Sequence, residues 1–181
     1  MRRYRIAGMS GSGKSAVGIA LRHRGYHVID TDDEAGLSMW VHRETHQPVA
    51  EPSHQPFPQA WLDEHIWVWN VDTLRALIAD PTHDLIIFCG GSHNEEDCDH
   101  MFDRTFYLMI DDETMKARLQ QREPRRWADD SAELKRVLEW NQAYWKPEDD
   151  VLVIDASKPV DIVTDEIVRR VRSDAGYGGA S

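Results

Sequence analysis

Chemistry-bearing residues gather at four places along the chain. Gly8-Met9-Ser10-Gly11-Ser12-Gly13-Lys14-Ser15 has a glycine, four free positions, then Gly-Lys-Ser, the spacing of a phosphate-holding loop. Such a loop turns backbone N–H groups and the positive end of a helix dipole onto one anion. Lys14 adds a point charge suited to β- and γ-phosphates, and the Ser15 hydroxyl suits Mg²⁺. The second place is the acidic run Asp30-Thr31-Asp32-Asp33-Glu34, and the third is Gly90-Gly91-Ser92-His93. The fourth is Arg118 with Arg122, four apart and so on one face of a helix, with Arg125 and Arg126 close behind.

Strands and helices in alternation are needed to hold these groups together. Tyr4 to Ala7 predicts a strand entering the loop, and Ala16, Val17, Ile19, Ala20 and Leu21 predict a helix leaving it. Further strands are expected at Tyr26 to Ile29, Leu85 to Cys89, Thr105 to Ile110 and Val151 to Ile154, the continuous apolar runs being the mark of strands buried on both faces. Leu37, Trp40 and Val41 at helical spacing predict a helix over 34–43. Trp61 to Trp69 reads as a second short helix, and 45–58, with Pro48, Pro56, Pro58, His46 and His54, as a long loop of functional type. Helices are expected after Asn70, over Glu95 to Met101, over Asp112 to Arg122, from a capping box at Asp130 and Glu133 through Trp145, and over Val160 to Val171. The pattern predicts an α/β three-layer sandwich with a five-stranded parallel sheet, which binds ligands at the carboxyl ends of its strands. One domain over 1–172 is expected, with a lid at 118–130, an acceptor-side insertion at 34–69 and a disordered glycine-rich tail at 173–181.

Charge narrows the partners. With 21 basic and 32 acidic residues the net charge is −11, which disfavours nucleic acid and anionic membrane surfaces. Two cysteines, Cys89 and Cys98, give no disulfide framework. Together with His93 and His100 they match no standard structural zinc spacing. Nothing at the N-terminus resembles a signal peptide, and no apolar run has transmembrane length. A cytoplasmic protein, monomer or homodimer, is the expectation.

The loop alone does not name a reaction. The apolar strand at Leu85 ends in Cys89-Gly90-Gly91 without the Asp-Glu of large ATPases, and no Asn-Lys-x-Asp guanine-reading sequence occurs. In order, the P-loop, Asp30-Thr31-Asp32, Gly90-Gly91, Arg118-Leu119-Gln120-Gln121-Arg122 and Asp155-Ala156-Ser157-Lys158-Pro159 resemble the small-molecule kinases grouped around shikimate kinase, gluconate kinase and the adenylate-kinase-like enzymes. The resemblance covers nearly the whole chain and implies the P-loop nucleoside triphosphate hydrolase fold, with ATP and Mg²⁺ as cofactors. It implies nucleotide contacts from Gly8, Gly11, Ser12, Gly13, Lys14, Ser15, Ala16, Arg118 and Pro159, and Mg²⁺ held by Ser15 and Asp30. Lys14, Asp32 and Arg122 would act in catalysis. Asp32, Arg43, Gly90, Gly91 and His93 would line the acceptor. The chain departs from shikimate kinase: the arginine that grips the substrate carboxylate has only Arg43 as a counterpart, in a different context. Trp40, Trp61, Trp67 and Trp69 serve either as an acceptor wall or as core.

The expected function is ATP-dependent phosphoryl transfer to a hydroxyl of a small metabolite or nucleoside. A nucleoside monophosphate kinase is the alternative, using Arg43, Arg75 and Arg104 on the acceptor phosphate. An ATP-binding regulatory module is the alternative from another class.

Overall fold

Five strands form one parallel sheet in the order β2-β5-β1-β6-β7, and two more form a separate antiparallel pair. The computed structural model describes residues 1–53, 57–121, 135 and 151–176. The central strand is β1 (Arg2–Ala7), followed by α1 (Lys14–His23) and β2 (His27–Asp30). Then come β3 (Ser38–His42), α2 (Gln59–Glu64), β4 (His65–Trp69) and α3 (Val71–Ala79). The remaining elements are β5 (Leu85–Cys89), α4 (Glu95–Cys98) with a 3-10 turn at Asp99–Met101, β6 (Arg104–Met109), α5 (Asp112–Gln120), β7 (Val151–Asp155) and α6 (Val160–Gly176).

Strand alternation divides the sheet residues between two cores. Tyr4, Ile6, Ile87, Cys89, Phe106 and Leu108 pack with Val17, Leu21, Met115, Ile167 and Val171 of α1, α5 and α6. Ile86 and Phe88 point the other way and pack with Ile29, Leu37, Trp69, Leu74 and Cys98. Helices therefore cover both faces, which completes the three layers expected. The same alternation sends Arg3 and Arg5 of β1 inward on the second face, where they are 4% exposed. Arg3 is satisfied by carbonyls, its Nε donating to Ile78 O at 2.7 Å and Nη2 to Asp80 O at 2.9 Å. Pairing of Arg2 with Leu85 and Arg3 with Ile86 carries β1 two residues ahead of the apolar run at Tyr4.

Two expected helices are corrected. The segment 34–43 turns at Gly36, with φ 74°, and then runs as β3. Residues 65–69 of the second expected helix form β4, and only Gln59–Glu64 is helical. The two strands pair with Ser38 opposite Trp69, Trp40 opposite Trp67 and His42 opposite His65. Alternating β-branched and aromatic side chains (Trp40, Val41, Ile66, Trp67, Val68, Trp69) favour this pleated pair over helix. The pair is hung on the main body by Leu37, fully buried, whose carbonyl accepts from Asn70 N–H at 2.7 Å. At the other end of the chain α6 continues to Gly176 and so takes in the first four residues of the expected tail. Among the described residues no helix is long and apolar enough to cross a membrane.

Candidate active site

Parallel register brings three strand ends to one edge. Ile6 stands opposite Cys89, and Cys89 opposite Asp30, so two strand spacings, roughly 10 Å, separate the start of the P-loop from the acidic run. Gly8, at φ 143°, begins the loop. A Cβ there would stand 2.7 Å from Leu108 O and 2.8 Å from Ser12 Oγ, so only glycine lets the loop close over β6. Gly13 sits in the left-handed region as N-cap of α1 and offers no side-chain cap. The first-turn N–H groups thus receive no side-chain cap from the N-cap residue, as suits a helix start that binds an anion.

The groups in the loop fit a nucleotide. The Lys14 ammonium folds back, its Nζ donating to Gly8 O at 2.6 Å and Met9 O at 3.2 Å. Ser12 is 2% exposed and its Oγ has no hydrogen-bond partner among the described residues. Ser15 and Ala16 are exposed at the start of α1. The Cys89 thiol donates to Lys14 O at 3.2 Å and ties α1 to the end of β5. Arg118 on α5 bridges the loop to the last strand, donating to Ser12 O at 3.2 Å and Ala156 O at 2.8 Å. Ala156 follows β7, and Pro159 leads α6, its carbonyl accepting from Ile162 and Val163 N–H. Arg118 therefore flanks the P-loop on the β7 side, while Pro159 stands three residues beyond Ala156 at the start of α6. Arg122, Arg125, Arg126, most of the expected lid and the helix expected from Asp130 lie outside the described residues.

On the β2 side Asp30 and Asp32 lie together, Asp32 N–H donating to Asp30 Oδ1 at 3.2 Å. Burial pushes the Asp30 carboxyl above its ordinary value, against the pull of the Asp32 N–H, and the charges of Asp32 and Asp33 push it further. A carboxylate desolvated beside other carboxylates suits a cation. Asp32 is exposed, and Trp67 Nε1–H donates to its Oδ1 at 3.0 Å. Trp67 also contacts Trp40 with ring centroids 5.3 Å apart, and Trp40 contacts Phe57 at 5.7 Å and Trp61 at 4.8 Å. Trp40, Trp61 and Trp67 are half-buried, whereas Trp69 is 2% exposed in the second core. Trp69 thus belongs to the core, and Trp40, Trp61 and Trp67 form a half-buried aromatic cluster beside Asp32.

The turn after β5 meets the same cluster. His93 N–H donates to Trp67 O at 2.7 Å. Gly90, at φ 154°, is buried so tightly that a Cβ would overlap Thr31 Oγ1. Gly91 packs against Glu95, whose Oε2 accepts Ser92 N–H at 3.1 Å. Glu95 and Asp99 in turn face Arg5, with Nη1 3.7 and 3.0 Å from their carboxylates. The Arg5 guanidinium lies 5.9 Å from the ring centroids of both Trp69 and Phe102.

Asp30, Asp32, Gly90, Gly91 and His93 are accordingly brought together at this edge. Arg43 is not: it follows β3 beyond His42 and donates to Asp63 O at 2.9 Å, roughly 10 Å along the strand from Trp40. Arg75 pairs with Asp72 on the exposed side of α3. Arg104 opens β6 and pairs with Asp174, at the end of that strand away from the P-loop. Sequence reasoning missed Glu95, Arg5 and the Trp67–Asp32 bond. Ser92-x-x-Glu95 has the spacing of a capping box, a signal that would have found Glu95.

A P-loop entered from a central parallel strand, an acidic β2 end and a glycine turn after β5 define a P-loop nucleotide-binding protein of kinase-like architecture. The chain belongs to the AAA domain family, whose model matches residues 5–138. No curated protein matches it. Among solved structures it resembles a gluconokinase from Sinorhizobium meliloti 1021, with 15% identity, TM-score 0.58 and coverage of 99% of this chain and 98% of that one. It resembles a shikimate kinase from Aquifex aeolicus, with 20% identity, TM-score 0.56 and coverage of 96% and 98%. A deoxyadenosine kinase from M. mycoides with bound dATP matches at 14% identity, TM-score 0.54, over 94% and 99% of the two chains. The fold is that of the P-loop small-molecule kinases.

Proposed function

We propose that the protein is an ATP-dependent kinase that transfers the γ-phosphoryl group to a hydroxyl of a small metabolite or nucleoside. The observation that carries this reading is the carboxylate pair at the end of β2. Asp30 is desolvated and suited to the metal, while Asp32 is exposed and held by Trp67. Phosphoryl transfer needs positioning and charge neutralisation more than covalent chemistry. ATP with Mg²⁺ supplies the transferable phosphoryl group and its charge compensation. Loop N–H groups from Gly11 to Lys14 cradle the phosphates, and Lys14 swings from Gly8 O and Met9 O to the β- and γ-oxygens. Ser15 and Asp30 hold Mg²⁺. Asp32 accepts the proton of the acceptor hydroxyl through the oxygen not bonded to Trp67. Arg118 orients the nucleotide between Ser12 and Ala156, and Arg122 neutralises the transferred group. Gly90, Gly91 and His93 border the acceptor.

ADP release measured with ATP, Mg²⁺ and panels of hydroxyl metabolites, nucleosides and nucleoside monophosphates tests the reading. Turnover with a hydroxyl acceptor supports it. Turnover confined to monophosphates overturns it. ATP binding without transfer on a broad panel would make the protein a regulatory module instead.

A further inference from the structure

The edge of β4 that faces away from β3 is satisfied by the turn after β5. In an antiparallel pair the N–H and C=O of one residue point to the same side. Those of Trp69 both meet the Asn94 carboxamide: Trp69 N–H donates to Asn94 Oδ1 at 2.9 Å, and Asn94 Nδ2 donates to Trp69 O at 3.1 Å. Two residues back, Trp67 O accepts from His93 N–H at 2.7 Å. A carboxamide carries the donor and the acceptor of a peptide group, so Asn94 stands in for a neighbouring strand. A slip of β4 by one residue would turn Trp69 out of the core and Trp67 away from Asp32, so this double bond selects a register. The Ser92 hydroxyl donates to the same Asn94 Oδ1 at 2.9 Å and orients the amide. The turn that presents Asn94 is itself fixed to the sheet. Gly90 N–H donates to Ile6 O at 3.2 Å, and Ser92 N–H donates to Glu95, which faces the buried Arg5 side chain. At the far end of this path the Trp67 indole donates to Asp32 Oδ1 at 3.0 Å.

We propose that Asn94 is a positioning residue for Asp32, holding β4 in the register that aims the Trp67 indole at one carboxylate oxygen and leaves the other for the acceptor hydroxyl. The bearing of Asn94 on transfer rests on the kinase reading; its hold on Asp32 rests on the contacts themselves. Asn94 acts through β4 and Trp67, so its loss disturbs the orientation of Asp32 and spares the P-loop.

The test has a spectroscopic and a kinetic arm. In proton–nitrogen spectra of the tryptophan indoles, the Trp67 cross-peak is the one that Trp67→Phe removes. Asp32→Ala moves it, because its acceptor is gone, and Asn94→Ala should move it at least half as far in the same direction. Asn70→Ala is the control: it removes the α3 cap, whose Oδ1 accepts from Asp72 and Thr73 N–H, and should leave the cross-peak in place. Where Asn94→Ala is too unstable to fold, Asn94→Asp keeps the acceptor for Trp69 N–H, loses the donation to Trp69 O, and should move the peak likewise. In ADP-release assays Asn94→Ala should lower kcat by about threefold to tenfold with ATP affinity within about twofold. In a Trp67→Phe background the same change should cost less than about twofold, because the two act along one path. An unmoved cross-peak, an equal movement in Asn70→Ala, a parent-like kcat in Asn94→Ala, or full additivity with Trp67→Phe would each overturn the positioning role and leave the kinase reading standing. A cross-peak that moves as expected in a protein that transfers phosphate to no hydroxyl would sink the kinase reading and leave the hold of Asn94 on Asp32 standing.

Discussion

Replacing Trp67 with phenylalanine removes the indole N–H together with one of its two fused rings. The ring still stands opposite Trp40, and the backbone that bonds His93 is untouched. Besides ring volume, which the control below also removes, what is lost is the 3.0 Å donation to Asp32 Oδ1. A hydrogen bond to a charged group contributes about 1.5–3 kcal/mol when desolvated. Asp32 is exposed, so water recovers part of that. The remainder is about 1–1.4 kcal/mol, which lowers kcat roughly fivefold to tenfold through a less oriented carboxylate. ATP affinity should stay within twofold, because no loop contact involves Trp67. Trp61→Phe is the control, since Trp61 packs in the same cluster, 4.8 Å from Trp40, and is not bonded to Asp32. Its kcat should change less than twofold. Both variants are assayed by ADP release with the acceptor identified from the panel, and by calorimetric titration of ATP. Equal losses in the two variants would show that bulk packing, not the bond to Asp32, is what matters, and the reasoning would be refuted.

Other perturbations follow from the same geometry. Gly90→Ala combines a glycine-only φ with overlap of buried Thr31 Oγ1 and should lower unfolding free energy by about 2–4 kcal/mol. Gly36→Ala, at φ 74° with nothing within 4 Å, should cost only about 1 kcal/mol; urea midpoints compare the two. Arg5→Ala leaves Asp99 and Glu95 facing an apolar pocket and should destabilise by about 3–4 kcal/mol, with Arg5→Met milder because the stem packing survives. Burial raises the Cys89 thiol from 9.0 to about 12. Burial, with help from Asp174, raises the Tyr4 phenol from 10.0 to about 12. Both groups therefore lose their protons first in the unfolded chain. The Cys89 contribution is whole below pH 9 and is lost as pH rises from 9 through 12, and that of Tyr4 is whole below pH 10 and lost from 10 through 12, by up to about 1.4 kcal/mol per pH unit for each group. Denaturation at a series of alkaline pH values should show a shallower fall for Cys89→Ala than for the parent; identical slopes would rule out this origin.

What could be read from the sequence was what lies within a few consecutive residues. The P-loop is eight residues long, and Leu85 to Cys89 is apolar throughout, so the loop and the central strands were visible. Leu37, Trp40 and Val41 satisfy a helical period, but Trp40 and Val41 also belong to a strand whose partner lies more than 20 residues on. Local spacing cannot choose between them, and the pairing with Ile66 and Trp67 decided it. Arg5 broke the apolar pattern of β1, because a buried arginine is recognisable only beside Asp99 and Glu95, which come some 90 residues later. The acceptor edge suffered most. Asp32 and Trp67 are 35 residues apart, and nothing local to either announces the other. Arg43 looked like an acceptor residue by proximity to Asp32 in sequence; the strand carries it outward to Asp63 instead.

The central claim concerns transfer from a nucleotide in the P-loop to a hydroxyl facing Asp32. It is tested most directly by following γ-labelled phosphate from ATP into the acceptor in the parent protein and in Asp32→Asn, with ATP affinity measured in both. The account predicts labelled acceptor from the parent. In Asp32→Asn it predicts a loss of at least about a hundredfold with ATP affinity unchanged. Full transfer by Asp32→Asn would contradict it, as would tight ATP binding by the parent with no label reaching any hydroxyl.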